Sequence, residues 1–211
     1  MEIKLPEPKY KGSVSVEEAI SRRRSVREFS GKGITLEELS QILWAAQGIT
    51  GGDSERKLAK TPSFSRKERG YKLRSVPSAG ALYPIEIYVA TGEGIYRYLP
   101  EKNSLKQVHK EDARKALYEA SLHQEFIKDA PAVIVIAAVF ERTKSKYGER
   151  GTRYVYAEAG HVSQNIYLQC ESLGLGTVAV GAFYDKAVQK VLKLPRDHEP
   201  IYIMPIGRKR L

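Results

Sequence analysis

The sequence predicts an α+β fold, and three of its features carry that expectation. Residues Ala132 to Val139 form an unbroken apolar run rich in β-branched side chains, which is how a strand buried on both faces reads. Two shorter apolar segments, Ile85 to Ala90 and Ile95 to Leu99, flank the turn Thr91-Gly92-Glu93-Gly94 and so form a hairpin. Around them lie stretches with apolar residues three and four apart, so helices pack on a sheet that contains hairpins.

In chain order, a first helix runs from Val16 to Arg23 on the apolar residues Val16, Ala19 and Ile20. A second starts at Thr35, where Thr35 and Glu38 have capping-box spacing, each able to satisfy an orphan backbone donor. Its apolar face is Leu36, Leu39, Ile42, Leu43 and Ala46, and Gly48 ends it. Residues 50–75 are polar and strongly charged and read as a mobile loop, a candidate lid. Helices are expected from Glu111 to Ser121 and from Gln124 to Asp129. A long helix spans Tyr154 to Leu173, with the stripe Val155, Ala159, Val162, Ile166 and Leu173, and with Gly160 letting a neighbour come close. Gly174 fits a helix C-terminal residue. A buried strand at Thr177 to Val180, a helix at Lys186 to Leu192 and a strand at Ile201 to Ile206 complete the pattern. There is no internal repeat or low-complexity linker, so residues 1–211 read as one domain.

The 211 residues are 42% hydrophobic and 28% charged, a globular mixture with enough apolar material for a real core. The longest apolar run, Ala130 to Phe140, is too short to span a bilayer. The N-terminus, Met1 to Pro6, has no apolar signal core. A single cysteine, Cys170, excludes an internal disulfide and a multi-thiolate metal site. These features imply a cytoplasmic protein. The 35 Lys and Arg against 25 Asp and Glu give a charge of +10, which favours anionic partners: nucleic acid, a membrane surface or a phosphorylated small molecule. No recognised nucleic-acid motif accompanies that charge. His109, His123, His161 and His198 are not paired at metal-ligand spacing, so no metal is expected. His161 reads as a core or interface histidine.

Three segments carry candidate chemistry. Arg22-Arg23-Arg24-Ser25-Val26-Arg27 follows the first helix; its guanidinium forks suit a bound phosphate, or else it is a solvated basic turn. Pro77-Ser78-Ala79-Gly80-Ala81 has small side chains that would let backbone amides approach a flat or anionic ligand, or else it is a plain connection. Gly174-Leu175-Gly176 lies after a helix and before a strand, the reverse of a dinucleotide-binding glycine loop. Gly181 follows that strand and could bring backbone amides to a ring system.

Five blocks, in this order, make the chain resemble the nitroreductase superfamily of FMN-dependent oxidoreductases. They are Arg22 to Phe29, Leu39 to Gly48, Pro77 to Pro84, Lys146-Tyr147-Gly148-Glu149-Arg150, and Glu158 to Val162 running through Gln164-Asn165 into Leu173-Gly174-Leu175-Gly176. The most similar branch is the SagB-type dehydrogenase, which includes azoline oxidases of peptide natural-product pathways.

The resemblance implies a central, mostly antiparallel sheet flanked by helices, in a domain-entwined homodimer with FMN at the interface. It assigns Arg23, Arg24, Ser25 and Arg27 to the FMN phosphate, ribityl chain and pyrimidine edge, with Arg27 at that edge. Pro77, Ser78, Ala79, Gly80 and Ala81 would reach the flavin from the partner subunit. Gly181 and Ala182 would supply a backbone amide near N5, and Arg208, or secondarily Arg210, a last phosphate-binding cation. Many nitroreductases carry a side-chain amide where this chain has Ala81. A Lys-Tyr pair acts in proton removal in the azoline-oxidase branch, and Lys146-Tyr147 is its match; the alternative is a surface lysine beside a packed aromatic. The implied activity passes hydride from NAD(P)H through flavin N5 to a small nitro- or quinone-like acceptor. A second reading is FMN-dependent dehydrogenation of azoline heterocycles in peptides. A third, from another class, is a basic nucleic-acid-binding module.

Overall fold

The computed structural model describes residues 1–50 and 73–210. The loop expected at 50–75, and its role as a lid, therefore falls outside the described residues except at its ends. Seven strands build one sheet: β1 (Glu2–Lys4), β2 (Ile85–Thr91), β3 (Gly94–Leu99), β4 (Ser104–His109), β5 (Ala132–Ala138), β6 (Leu175–Thr177) and β7 (Glu199–Arg208). Their order is β1-β4-β3-β2-β5-β7-β6, and every neighbouring pair is antiparallel. The long apolar run is β5, which sits between β2 and β7 and is buried at every residue. Its Ile134 and Ile136 join the core on one face, and Val133 and Val135 join the core on the other. Alternation along the strand thus feeds two cores, which is why no polar residue interrupts it.

One face is covered by α2 (Leu36–Gln47) and α6 (Arg150–Ser172), which contribute Leu39, Ile42, Leu43, Val155, Ala159, Val162 and Ile166. The other is covered by α3 (Arg114–Ala120), α4 (Phe126–Asp129) and α7 (Asp185–Val191), with Leu117, Ile127 and Val188. Burying each such side chain is worth roughly 1.5–3 kcal/mol. The short α1 (Val16–Arg22) and α2 both begin with complete capping boxes, Ser15 with Glu18 and Thr35 with Glu38. An eight-residue helix, α5 (Phe140–Tyr147), leads directly into α6. Among the described residues no helix is long and apolar enough to cross a membrane.

The structure corrects several expectations. The strands β1 and β4 and the helix α5 were not anticipated. The long helix starts at Arg150 rather than Tyr154, because Gly151 packs its backbone against α5; a Cβ there would stand 2.9 Å from the Lys144 nitrogen. The strand expected at Thr177 to Val180 pairs instead from Leu175 to Thr177. Val178 and Val180 are apolar because they enter the second core, and beyond Thr177 only a single bridge, Val180 with Ile203, remains. His161 is exposed, so it is not a core histidine. A Cβ on Gly160 would meet nothing within 4 Å, so the close approach expected there is not made by the described residues of the chain.

Candidate functional site

The predicted site residues gather at two corners of the molecule. The first is built by the chain that leaves α1. Val26 donates its N–H to the Thr177 carbonyl at 2.9 Å, extending the sheet beside β6. Farther on, Ser30 donates to the Arg208 carbonyl at 3.0 Å and Arg210 donates to the Glu28 carbonyl at 3.2 Å. This strap brings Arg23–Arg27 to the same edge as Arg208–Arg210. Two glycines let it lie flat. A Cβ on Gly176 would come within 2.7 Å of the Val26 side chain, and one on Gly207 within 2.8 Å of the Phe29 ring.

The cations there are disposed differently. The Arg23 guanidinium lies 5.4 Å from the Tyr167 ring centre, and that of Arg27 lies 5.9 Å from the Phe126 ring centre. Arg24 folds back onto the carbonyls of Ser21 and Arg23 at 3.0 and 2.8 Å. None of these three makes an ion pair with another described residue. Arg208 does: its Nη2 donates to both Glu38 carboxylate oxygens, at 2.9 and 3.1 Å. Arg210 is exposed and has no ion pair with a described residue. Tyr167, which the sequence did not single out, ties the corner together. Its hydroxyl shares a hydrogen bond with Ser25 Oγ at 3.2 Å and accepts one from the Ala179 N–H at 2.7 Å. Gly181 and Ala182 follow on that segment, both exposed, with N–H groups that make no hydrogen bond among the described residues.

The second corner is the small-residue segment. Residues Ala79–Ala81 form a single 3-10 turn in which Gly80 and Ala81 have φ of 63° and 55°, and Tyr83 follows at 47°. Left-handed backbone at an alanine and a tyrosine costs on the order of 1 kcal/mol each, so surrounding contacts must hold it. The Ser78 carbonyl accepts from Ala81 at 3.0 Å, Ser78 Oγ accepts from the Tyr83 N–H at 2.9 Å, and the Tyr83 hydroxyl accepts from the Arg74 N–H at 3.2 Å. At the tip, Lys146 Nζ and Tyr147 Oη each stand 2.9 Å from the point where a Cβ on Gly80 would be. The last turn of α5 thus delivers both polar atoms to one spot on the turn. Edge contact with Tyr154, at 5.2 Å and 90°, fixes the Tyr147 ring.

Both corners border α6: the first bonds to Tyr167, and the second lies near the buried carboxyl of Glu158, which faces Ser78. Tyr167 and Glu158 are nine positions apart, about 13 Å and about two and a half turns at the usual rise and pitch, so they face opposite sides of the helix. Between those faces α6 exposes Arg153, Tyr156, Ala157, His161 and Gln164.

The profile of the Nitroreductase family matches residues 20–208. The chain belongs to the nitroreductase family. It is 46% identical, over 99% of its own length and 97% of the other's, to a protein of Methanocaldococcus jannaschii provisionally named a nitroreductase. It is 29% identical to the microcin B17-processing protein McbC of Escherichia coli over 69% of this chain, which corresponds to 58% of that protein. Its fold matches a crystal structure from Ralstonia eutropha, also provisionally named a nitroreductase, with a TM-score of 0.82 and 30% identity over 100% of this chain and 90% of that one. The family fold, an antiparallel sheet flanked by helices, is thus the α+β fold expected from the sequence.

Proposed function

We propose that this nitroreductase-family protein is an FMN-dependent oxidoreductase in which Lys146 and Tyr147 handle the proton that accompanies hydride transfer. The observation that carries this reading is the meeting of Lys146 Nζ and Tyr147 Oη on the Gly80 turn. The donor set at the other corner fits FMN. Arg23, Arg24 and Arg27 have no counter-ion among the described residues, as a phosphate site requires, and exposed N–H groups at Gly181 and Ala182 suit the N5 edge of a ring. Of the two terminal cations, Arg210 is freer than Arg208, which Glu38 holds. When bound, FMN supplies a ring that takes up or gives back hydride. The chain's own residues do the rest. The arginine corner grips the anionic tail, the Gly80 turn carries the proton-handling pair, and the Lys146 cation stabilises charge on the Tyr147 oxygen as the proton moves.

The two corners face opposite sides of α6, so completing one site calls for a second copy of the chain. We read the protein as a homodimer, with the exposed α6 stripe around Gly160 at the interface. NAD(P)H is the hydride source in the first version of this reading, with a quinone- or nitro-like acceptor, in a cytoplasmic setting. The second version is dehydrogenation of an azoline in a peptide; the Lys146–Tyr147 geometry and the similarity to McbC favour it. Absorption spectra of the purified protein with added FMN, followed by turnover assays, decide among these. Fast oxidation of NADH or NADPH with a quinone supports the first version. Slow hydride uptake from both nicotinamides, with oxidation of an azoline-containing peptide, supports the second. A protein that takes up no flavin, and binds nucleic acid with an affinity that falls steeply with salt, overturns both.

A further inference from the structure

The Gly80 turn leads into β2, whereas Lys146 and Tyr147 belong to α5, and one side chain joins the two segments. Arg142 stands one turn before Lys146 on α5. Its Nη1 donates to the Tyr83 carbonyl at 3.0 Å, at the last left-handed residue of the turn. Its Nη2 donates to Glu86 Oε1 at 2.5 Å. Glu86 lies on β2 and is 9% exposed. Its other oxygen is held by Arg97 of β3, from Nε at 3.0 Å and from Nη2 at 2.9 Å. A second tie runs from the Val139 N–H, just before α5, to the Pro84 carbonyl at 2.9 Å. On its other side α5 packs on α6, through Phe140 with Tyr156 and through the backbone of Thr143 and Lys144 with Gly151.

We infer that Arg142 is a positioning residue: its fork ties the Gly80 turn to the helix that carries Lys146 and Tyr147, and so sets where their polar atoms meet the turn. The brace stands on these bonds; its consequence for turnover rests on the oxidoreductase reading. A guanidinium presents its donors in one rigid plane, so the carbonyl and the carboxylate that it holds are fixed relative to each other. Glu86 orients that plane, and Arg97 orients Glu86. Without the fork, the backbone tie that remains is at Val139, at the far end of α5 from the pair. An eight-residue helix is about 12 Å long, so a tilt of about 5° moves its last turn by ~1 Å. A misplacement of ~1 Å can cost a reaction about 100-fold. Lysine at this position would keep the charge facing Glu86 and give up the fork.

Amide hydrogen exchange in flavin-free protein tests the brace. Arg142→Met should speed exchange at Ala81, Leu82 and Tyr83 several-fold, as the loss of a charge-assisted bond implies, while the β5 amides keep wild-type protection. Arg142→Lys should fold with its charge retained and show the same local increase. With FMN bound, both variants should lose about 10–100-fold in kcat at an unchanged affinity for FMN. Arg142→Met added to Tyr147→Phe should cost far less than it does alone, because a brace acts only through what it places. Four results overturn the inference: wild-type exchange at the turn in both variants, an increase spread equally over β5, full recovery in Arg142→Lys, or full additivity with Tyr147→Phe. Failure of the wild type to take up FMN sinks the oxidoreductase reading and leaves the exchange result to decide the brace.

Discussion

The two corners of the molecule solve opposite problems. At the arginine corner the backbone is relaxed, extended and paired to the sheet; Arg23, Arg24 and Arg27 reach solvent with no acidic partner among the described residues, while Glu38 holds Arg208. At the Gly80 corner the backbone is left-handed at three positions, and a chain of hydrogen bonds from Gln47 through Arg74 and Tyr83 to Ser78 holds it there. An exposed guanidinium is cheap to keep and suits a charged, flexible tail that comes from outside. A strained turn is costly, and it is tolerated where two reactive groups must meet at one point. On the proposed reading the contrast separates holding from chemistry: one corner would bind, and the other would handle the proton.

That division of labour can be broken by substitution. Tyr147→Phe should lower turnover about 100-fold or more while flavin remains bound at full stoichiometry, because it deletes a proton carrier and leaves the grip on the tail intact. Steady-state kinetics beside the flavin absorbance would measure this; if flavin is lost together with activity, the two corners do not divide the work. Arg23→Ala should do the reverse. It removes a charge-assisted contact of ~1.5–3 kcal/mol, a weakening of FMN binding by about 10–100-fold with near-normal kcat once the site is saturated. Fluorescence titration with FMN gives the constant, and an unchanged value would move the phosphate elsewhere. The smallest effect is expected of Tyr167→Phe. Losing the hydroxyl that joins Ser25 to Ala179 should cost about 1 kcal/mol and lower the melting temperature by a few degrees. It should weaken flavin less than Arg23→Ala does; a stronger effect would make Tyr167 a ligand rather than a brace.

Much of the frame was legible in the sequence because its signals are local. The Thr35–Glu38 capping box, the β-branched run of β5 and the hairpin glycines act within a few residues of themselves. What escaped notice depends on partners far along the chain. β1 is three residues long and pairs with β4 about a hundred positions away, and β4 is polar through much of its length. α5 is charged and buries only Thr143, so no apolar stripe announces it. At the site, the segments were found and their braces were not. Arg74 and Tyr167 take their roles from distant contacts. Glu158 did leave a trace: a carboxylate at helical spacing among Val155, Ala159 and Val162 is a polar group on an apolar stripe, and such a group needs a reason.

The seating of the arginine strap on Gly176 and Gly207 has a consequence for variation in this chain. Neither glycine offers a functional group; Gly176 lies in the edge strand β6 and Gly207 in its neighbour β7. Yet one added methyl at either position would collide with Val26 or Phe29 and pry the whole segment off its bed. Ligand retention could then vanish with every arginine still in the sequence, a lesion that a survey confined to the charged residues would pass over.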